Sequence, residues 1–162
     1  MISSCSKKSD NTTIAPNSWS FKGKTSTPYT CVLQQFVALP QFNGNLGLAA
    51  PTTTSSNDSN YAFMSVIFAD TTSVTPGTYT VSADDGIHPP TGSNVFIHLR
   101  YGNQANKVIY YATGGSGTAQ NLNVSITGSG HLSVNGSGIE MQNQAAGSSS
   151  DKANLTFVLT DQ

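Results

Sequence analysis

Charge is scarce in this chain. Only 9% of its 162 residues are Asp, Glu, Lys or Arg, against about 25% in an ordinary soluble domain. Glu140 is the sole glutamate, and the net charge is −1. Without a positive excess there is no electrostatic case for nucleic acid or an anionic membrane surface as partner. Cysteine is scarce too. Cys5 and Cys31 form no CxxC, which removes a sulfur-based zinc site. No window reaches the ~20 apolar residues of a membrane-spanning helix. Helix-favouring surface residues are nearly missing, while β-branched and aromatic residues are common. Ser, Thr, Asn, Gln and Gly must therefore supply the polar surface. That is the profile of an extracytoplasmic all-β protein, and the length suits a single domain with one core.

Period-two alternation marks the strands. It begins at Ser18-Trp19-Ser20-Phe21 and returns at Tyr29–Ala38, Leu46–Ala50 and Thr78–Val81. Residues 61–69 are apolar almost throughout, as in a central strand. Over 94–101 the alternation is clearest: Val95, Ile97, Leu99 and Tyr101 face one way, Phe96, His98 and Arg100 the other. That strand and 107–112 read as a hairpin. Later strands fall near Leu122–Ile126, Leu132–Val134, Ile139–Met141 and Leu155–Leu159. Asn135-Gly136 signals either a hairpin turn or, with Gly138, a bulge in one bent strand. About ten strands with frequent turns predict an antiparallel two-sheet β-sandwich, with a closed β-barrel as the alternative. The polar loop 51–60 is expected to connect the two sheets.

The N-terminus carries an address. In Ile2-Ser3-Ser4-Cys5 an aliphatic residue stands three before a cysteine and two small residues fill the gap. Bacterial lipoprotein signal peptidase cuts before such a cysteine, whose sulfur takes a diacylglyceryl group. A signal peptide also needs a basic start and an apolar stretch of about 7–15 residues. The expectation is therefore a longer precursor, with residues 1–5 the end of its signal, 6–17 a flexible tether and 18–162 the β domain. Cys31 then packs as a small hydrophobe. Were Cys5 not lipidated, a Cys5–Cys31 disulfide is the alternative.

The Cys-Ser-Lys-Lys-Ser-Asp run, the Trp-Ser-Phe-Lys-Gly-Lys start, Thr-Pro-Gly-Thr-Tyr-Thr-Val at 75–81 and Gly-Ser-Gly-Ile-Glu-Met at 136–141 resemble the small cell-envelope lipoproteins of Bacteroidota. The resemblance implies an outer-membrane address, on the periplasmic leaflet or the cell surface, and a lipid anchor on Cys5. It implies no catalytic residue. Asp70-Thr71-Thr72 looks like that phylum's short O-glycosylation motif, with Thr71 the acceptor, but three residues are a short motif and the preferred reading of them is a strand-end turn.

Reactive constellations are thin. Asp84-Asp85-Gly86-Ile87-His88 is the densest ionisable group, but adjacent carboxylates do not alternate as calcium ligands do, and Asp-Gly is an ordinary turn pair. The three histidines have no zinc spacing. No Gly-x-Ser-x-Gly occurs. A glycan hydrolase would need two of Asp70, Asp84, Asp85 and Glu140 across a cleft. No catalytic residue, metal or cofactor is expected. A binding role points to Phe96, His98, Arg100 and one of Tyr110 or Tyr111, as aromatic and polar groups facing out of the hairpin toward a glycan or an envelope protein; in the competing reading Phe96 packs beneath loop 51–60 or 82–93 and the patch does not exist.

Overall fold

The computed structural model describes residues 14–22, 24, 28–53, 55–58, 61–102, 107–115, 118–145 and 151–162. Cys5 and the first part of the expected tether lie outside them. Eleven strands run in chain order: β1 (Ser18–Lys22), β2 (Tyr29–Thr30), β3 (Gln35–Leu39), β4 (Asn45–Pro51), β5 (Ala62–Phe68), β6 (Gly77–Val81), β7 (Asn94–Tyr101), β8 (Val108–Ala112), β9 (Gln120–Ile126), β10 (Leu132–Asn143) and β11 (Lys152–Thr160). A 3-10 turn, Pro40–Phe42, links β3 to β4, and no α-helix occurs among the described residues.

The chain is all-β, and five of its strands close into a barrel. The ring runs β6–β7–β8–β10–β9 and back to β6. All its pairs are antiparallel except β6–β7, where Thr80 faces Asn94 and Val81 faces Val95. Residues 82–93 supply the long crossover that a parallel pair needs. Two wings extend the ring, β11–β1–β2 from β10 and β5–β4–β3 from β7. Hydrogen bonding thus joins all the strands into one sheet and does not establish the expected two-sheet sandwich; the closed ring corresponds to the alternative. Sequence alternation fixes the two faces of a strand and leaves open which edges meet.

β10 is what allows closure. Its first half pairs with β9 and its last residues, Met141 to Asn143, pair with β8. Between them the register against β11 shifts from Gly136 to Ile139. A bulge there bends the strand so that one edge serves two partners. Asn135-Gly136 is therefore no hairpin turn.

One core fills the ring and the space between the wings. Trp19, Phe21, Leu99, Leu122 and Phe157 are fully buried. Trp19 stacks on Tyr29 at 4.5 Å, and Phe21 meets Tyr110 edge-on at 4.9 Å. Loop 51–60 does not cross between sheets. It joins β4 to β5, which pair as antiparallel neighbours. The crossing segment is Cys31–Gln34, where the sequence reads as one strand from 29 to 38. β2 pairs with β1 and β3 with β4, so the backbone changes wings between them.

The domain also begins earlier than expected. Ile14 is only 8% exposed. The Asn17 carbonyl accepts from Cys31 N–H, and its side chain accepts from Thr160 N–H, both at 2.8 Å. Residues 14–17 thus belong to the fold and not to the tether. Asn17 sits at φ 55°, a left-handed conformation that Asn tolerates better than most residues.

Candidate functional site

The face of β3–β4–β5–β7–β8 turned away from the core is concave. Alternation puts Val37 and Leu39 of β3, Ala49 of β4, Phe63 and Ser65 of β5, His98 and Arg100 of β7, and Ile109 and Tyr111 of β8 along one groove of about 250 Å³. The turn after β3 closes one end with Gln41 and Phe42. Pro40 starts that turn, and Asn43 at φ 55° ends it. Gly47 leaves room for the Leu39 side chain. A Cβ there would come within 2.6 Å of Leu39 Cδ1, whose side chain folds across it.

Three expected binding residues, His98, Arg100 and Tyr111, share this groove. Two do not. Phe96 is 5% exposed, facing Ile67 across the strand pair and lying 6.5 Å from the Phe42 ring. The outward aromatic patch on Phe96 is therefore absent. Strand alternation turns Phe96 away from the core as expected, but the turn at 40–42 covers it. Tyr110 is 4% exposed and belongs to the core face. Its hydroxyl donates to Asp151 at 2.8 Å, a carboxylate that also accepts from Lys24 and Asn143.

His98 of the groove has a polar partner missed by the sequence, Asp84, which lines a neighbouring depression with Tyr111. Asp84 Oδ2 lies 2.8 Å from His98 Nε2, and Asp84 Oδ1 accepts from Gly86 N–H at 2.7 Å. The Asp84 side chain is only 4% exposed. The His98 ring lies 4.3 Å from Tyr111 and 5.9 Å from Phe42. Burial outweighs the nearby Asp84 carboxylate and sets the imidazole below its usual pKa. Burial also pushes the Tyr111 phenol up, aided by the charge of Asp84. The dense 84–88 group was the available signal, but no periodicity links a loop to a strand fourteen residues on.

Arg100 is the only arginine of the chain. Its guanidinium lies over the Tyr61 ring at 5.1 Å, a cation–π contact. Its Nε and Nη2 are shielded from water and take no acceptor. Among the described residues no carboxylate pairs with it.

The other singled-out residues are structural or separate. Asp85 accepts from Ile87 N–H, His88 N–H and the His88 ring, which holds its carboxyl well below the usual range. That is a capped turn, and no cluster of metal-ligating side chains occurs among the described residues. Glu140 is bound by Thr113 and Lys152 and lines a different depression from Asp84. Thr71 is exposed in the bend after β5. Cys31 is a buried free thiol whose sulfur lies 3.8 Å from the Ala50 carbonyl. Cys5 lies outside the described residues.

No protein-family model, curated protein or solved structure matches this chain.

Proposed function

We propose that this chain is a non-catalytic binding protein of the bacterial envelope, of the Bacteroidota lipoprotein type. A lipid on Cys5 holds it at the outer membrane, and the groove on β3–β4–β5–β7–β8 takes its ligand. The observation that carries the binding role is the gathering of His98, Arg100 and Tyr111 around one largely apolar concavity. Such sites combine apolar walls with a few converging polar groups. The anchor rests on Ile2-Ser3-Ser4-Cys5 and on the charge-poor composition. In this reading the wings are the layers of a sandwich-like body, facing one another across the core that the ring closes.

The non-catalytic reading has a chemical basis. Asp84 and Asp85 are each committed to a histidine, and Glu140 to Thr113 and Lys152. A glycan hydrolase wants one carboxyl free to act on each side of a bond. A second reading, a glycan-binding module, is favoured by Tyr111, Ser65 and Gln41 lining one groove. An aromatic face and hydroxyl-bonding groups suit a sugar.

Metabolic labelling of cells with a palmitate analogue tests the anchor. The wild-type precursor is expected to take label and partition with the envelope, and Cys5→Ala to lose both. Equal incorporation would remove the lipoprotein reading.

A further inference from the structure

Arg100 is an unmatched cation in an apolar place. A guanidinium offers five donors in a planar fork. Two of its nitrogens here are shielded from solvent and take no acceptor from the protein, where buried polar groups are almost always hydrogen-bonded. Among the described residues no carboxylate lines the groove, and Asp84, in the neighbouring depression, is already engaged by His98 and Gly86. The Tyr61 ring covers one face of the guanidinium and supplies no hydrogen-bond acceptor in its plane.

We propose that the groove binds a small monocarboxylate carried on one apolar ring, with the carboxylate paired to Arg100 and the ring seated between Phe42, Phe63 and Ile109. The proposal rests on the groove being the binding site and adds the class of ligand. Charge selects the headgroup. His98 stays neutral near pH 7 because burial lowers its pKa, so Arg100 brings a single positive charge. A carboxylate matches it in charge, and its two oxygens suit the Nε and Nη2 donors once the guanidinium turns from the Tyr61 ring to face the groove. A phosphate would carry close to two charges into mostly apolar walls against one cation. Size selects the body. The volume of about 250 Å³ lies below the roughly 300–1,000 Å³ of sites for drug-sized ligands, which leaves room for one ring.

Phenylacetate, phenylacetamide and glucuronate test this by NMR titration of the full chain at neutral pH. Phenylacetate is expected to move the His98 and Tyr111 ring signals and the Arg100 Nε–H signal. Phenylacetamide, which has the same shape without the charge, should bind about tenfold more weakly or worse, the scale of one charge-assisted hydrogen bond. Arg100→Gln should bring phenylacetate down to the level of the amide, and Arg100→Lys should keep part of the preference. Equal binding of acid and amide to the wild type would overturn the carboxylate while leaving the groove a binding site. Tighter binding of glucuronate than of phenylacetate would overturn the apolar body and favour the sugar reading. Failure of all three to move any groove signal would overturn both the ligand class and the groove reading. The wild-type comparison needs no variant to fold.

Discussion

His98 stands between two opposing influences, burial, which disfavours its charged form, and Asp84, which favours it. Burial wins, so the folded imidazole has a pKa below the usual 6.5. The unfolded chain therefore takes up a proton at pH values where the folded ring is still neutral. Stability must fall as the pH drops through 6.5 and is unaffected by this group above it. We expect the His98 ring signals to titrate below 6.5, and the acid loss of stability, read by urea unfolding, to shrink in His98→Gln. A midpoint above the usual value would mean that Asp84 outweighs burial. Cys31 gives a second test. Burial pushes its thiol up to about 12, slightly offset by Trp19. In Cys5→Ala, Ellman's reagent should leave Cys31 untouched in the folded protein and react fully in denaturant. Fast reaction under native conditions would show an open crossing between β2 and β3. At this scale the sequence placed His98 and Arg100 on one strand face correctly. A cover over Phe96 was one of two readings, but its source was assigned to loops 51–60 or 82–93, whereas Phe42 reaches it from a turn more than fifty positions earlier.

β10 is a single strand of twelve residues that two glycines allow to bend. Gly138 has φ +68°, and a Cβ on Gly136 would come within 2.7 Å of the Phe157 ring. Gly138→Ala should cost about 1–2 kcal/mol through backbone strain alone. Gly136→Ala should cost about 1–3 kcal/mol by overpacking. Chemical denaturation of each variant checks the magnitudes. Costs near zero would mean that the bulge moves freely, and the ring would then have no fixed point of closure. The two glycines were visible in the sequence, and a bulge was one of two readings of them. What decided between the readings was β11, which pairs with β10 on both sides of the bulge. The opposite error occurred at Cys31–Gln34. Its apolar run reads as part of a strand, while the backbone leaves one wing for the other. Val32 and Leu33 are exposed there, and Cys31 and Gln34 are buried, so the run's apolar composition did not report its burial.

Over the whole molecule, one core joins the ring to both wings, and Trp19 lies fully buried within it. As the single tryptophan, it should emit at short wavelength in the folded state and shift red in one transition that coincides with loss of the far-UV β signal. Leu99→Ala, at a fully buried position of β7, should lower stability by about 2–5 kcal/mol. Separate transitions by the two probes would mean that the wing around Trp19 unfolds apart from the ring. The sequence by itself determined the all-β class, most strand positions, the inward set of Val95, Ile97 and Leu99, and the outward direction of His98 and Arg100. Each follows from local composition or from the two-residue repeat of a strand. Ring closure, the path of the wings, the Asp84–His98 pair and the groove around Arg100 were decided only by the tertiary structure. They depend on which strand edges hydrogen-bond and on which loops come to rest over which faces. Those choices belong to contacts between distant segments, and the two-residue repeat is blind to them.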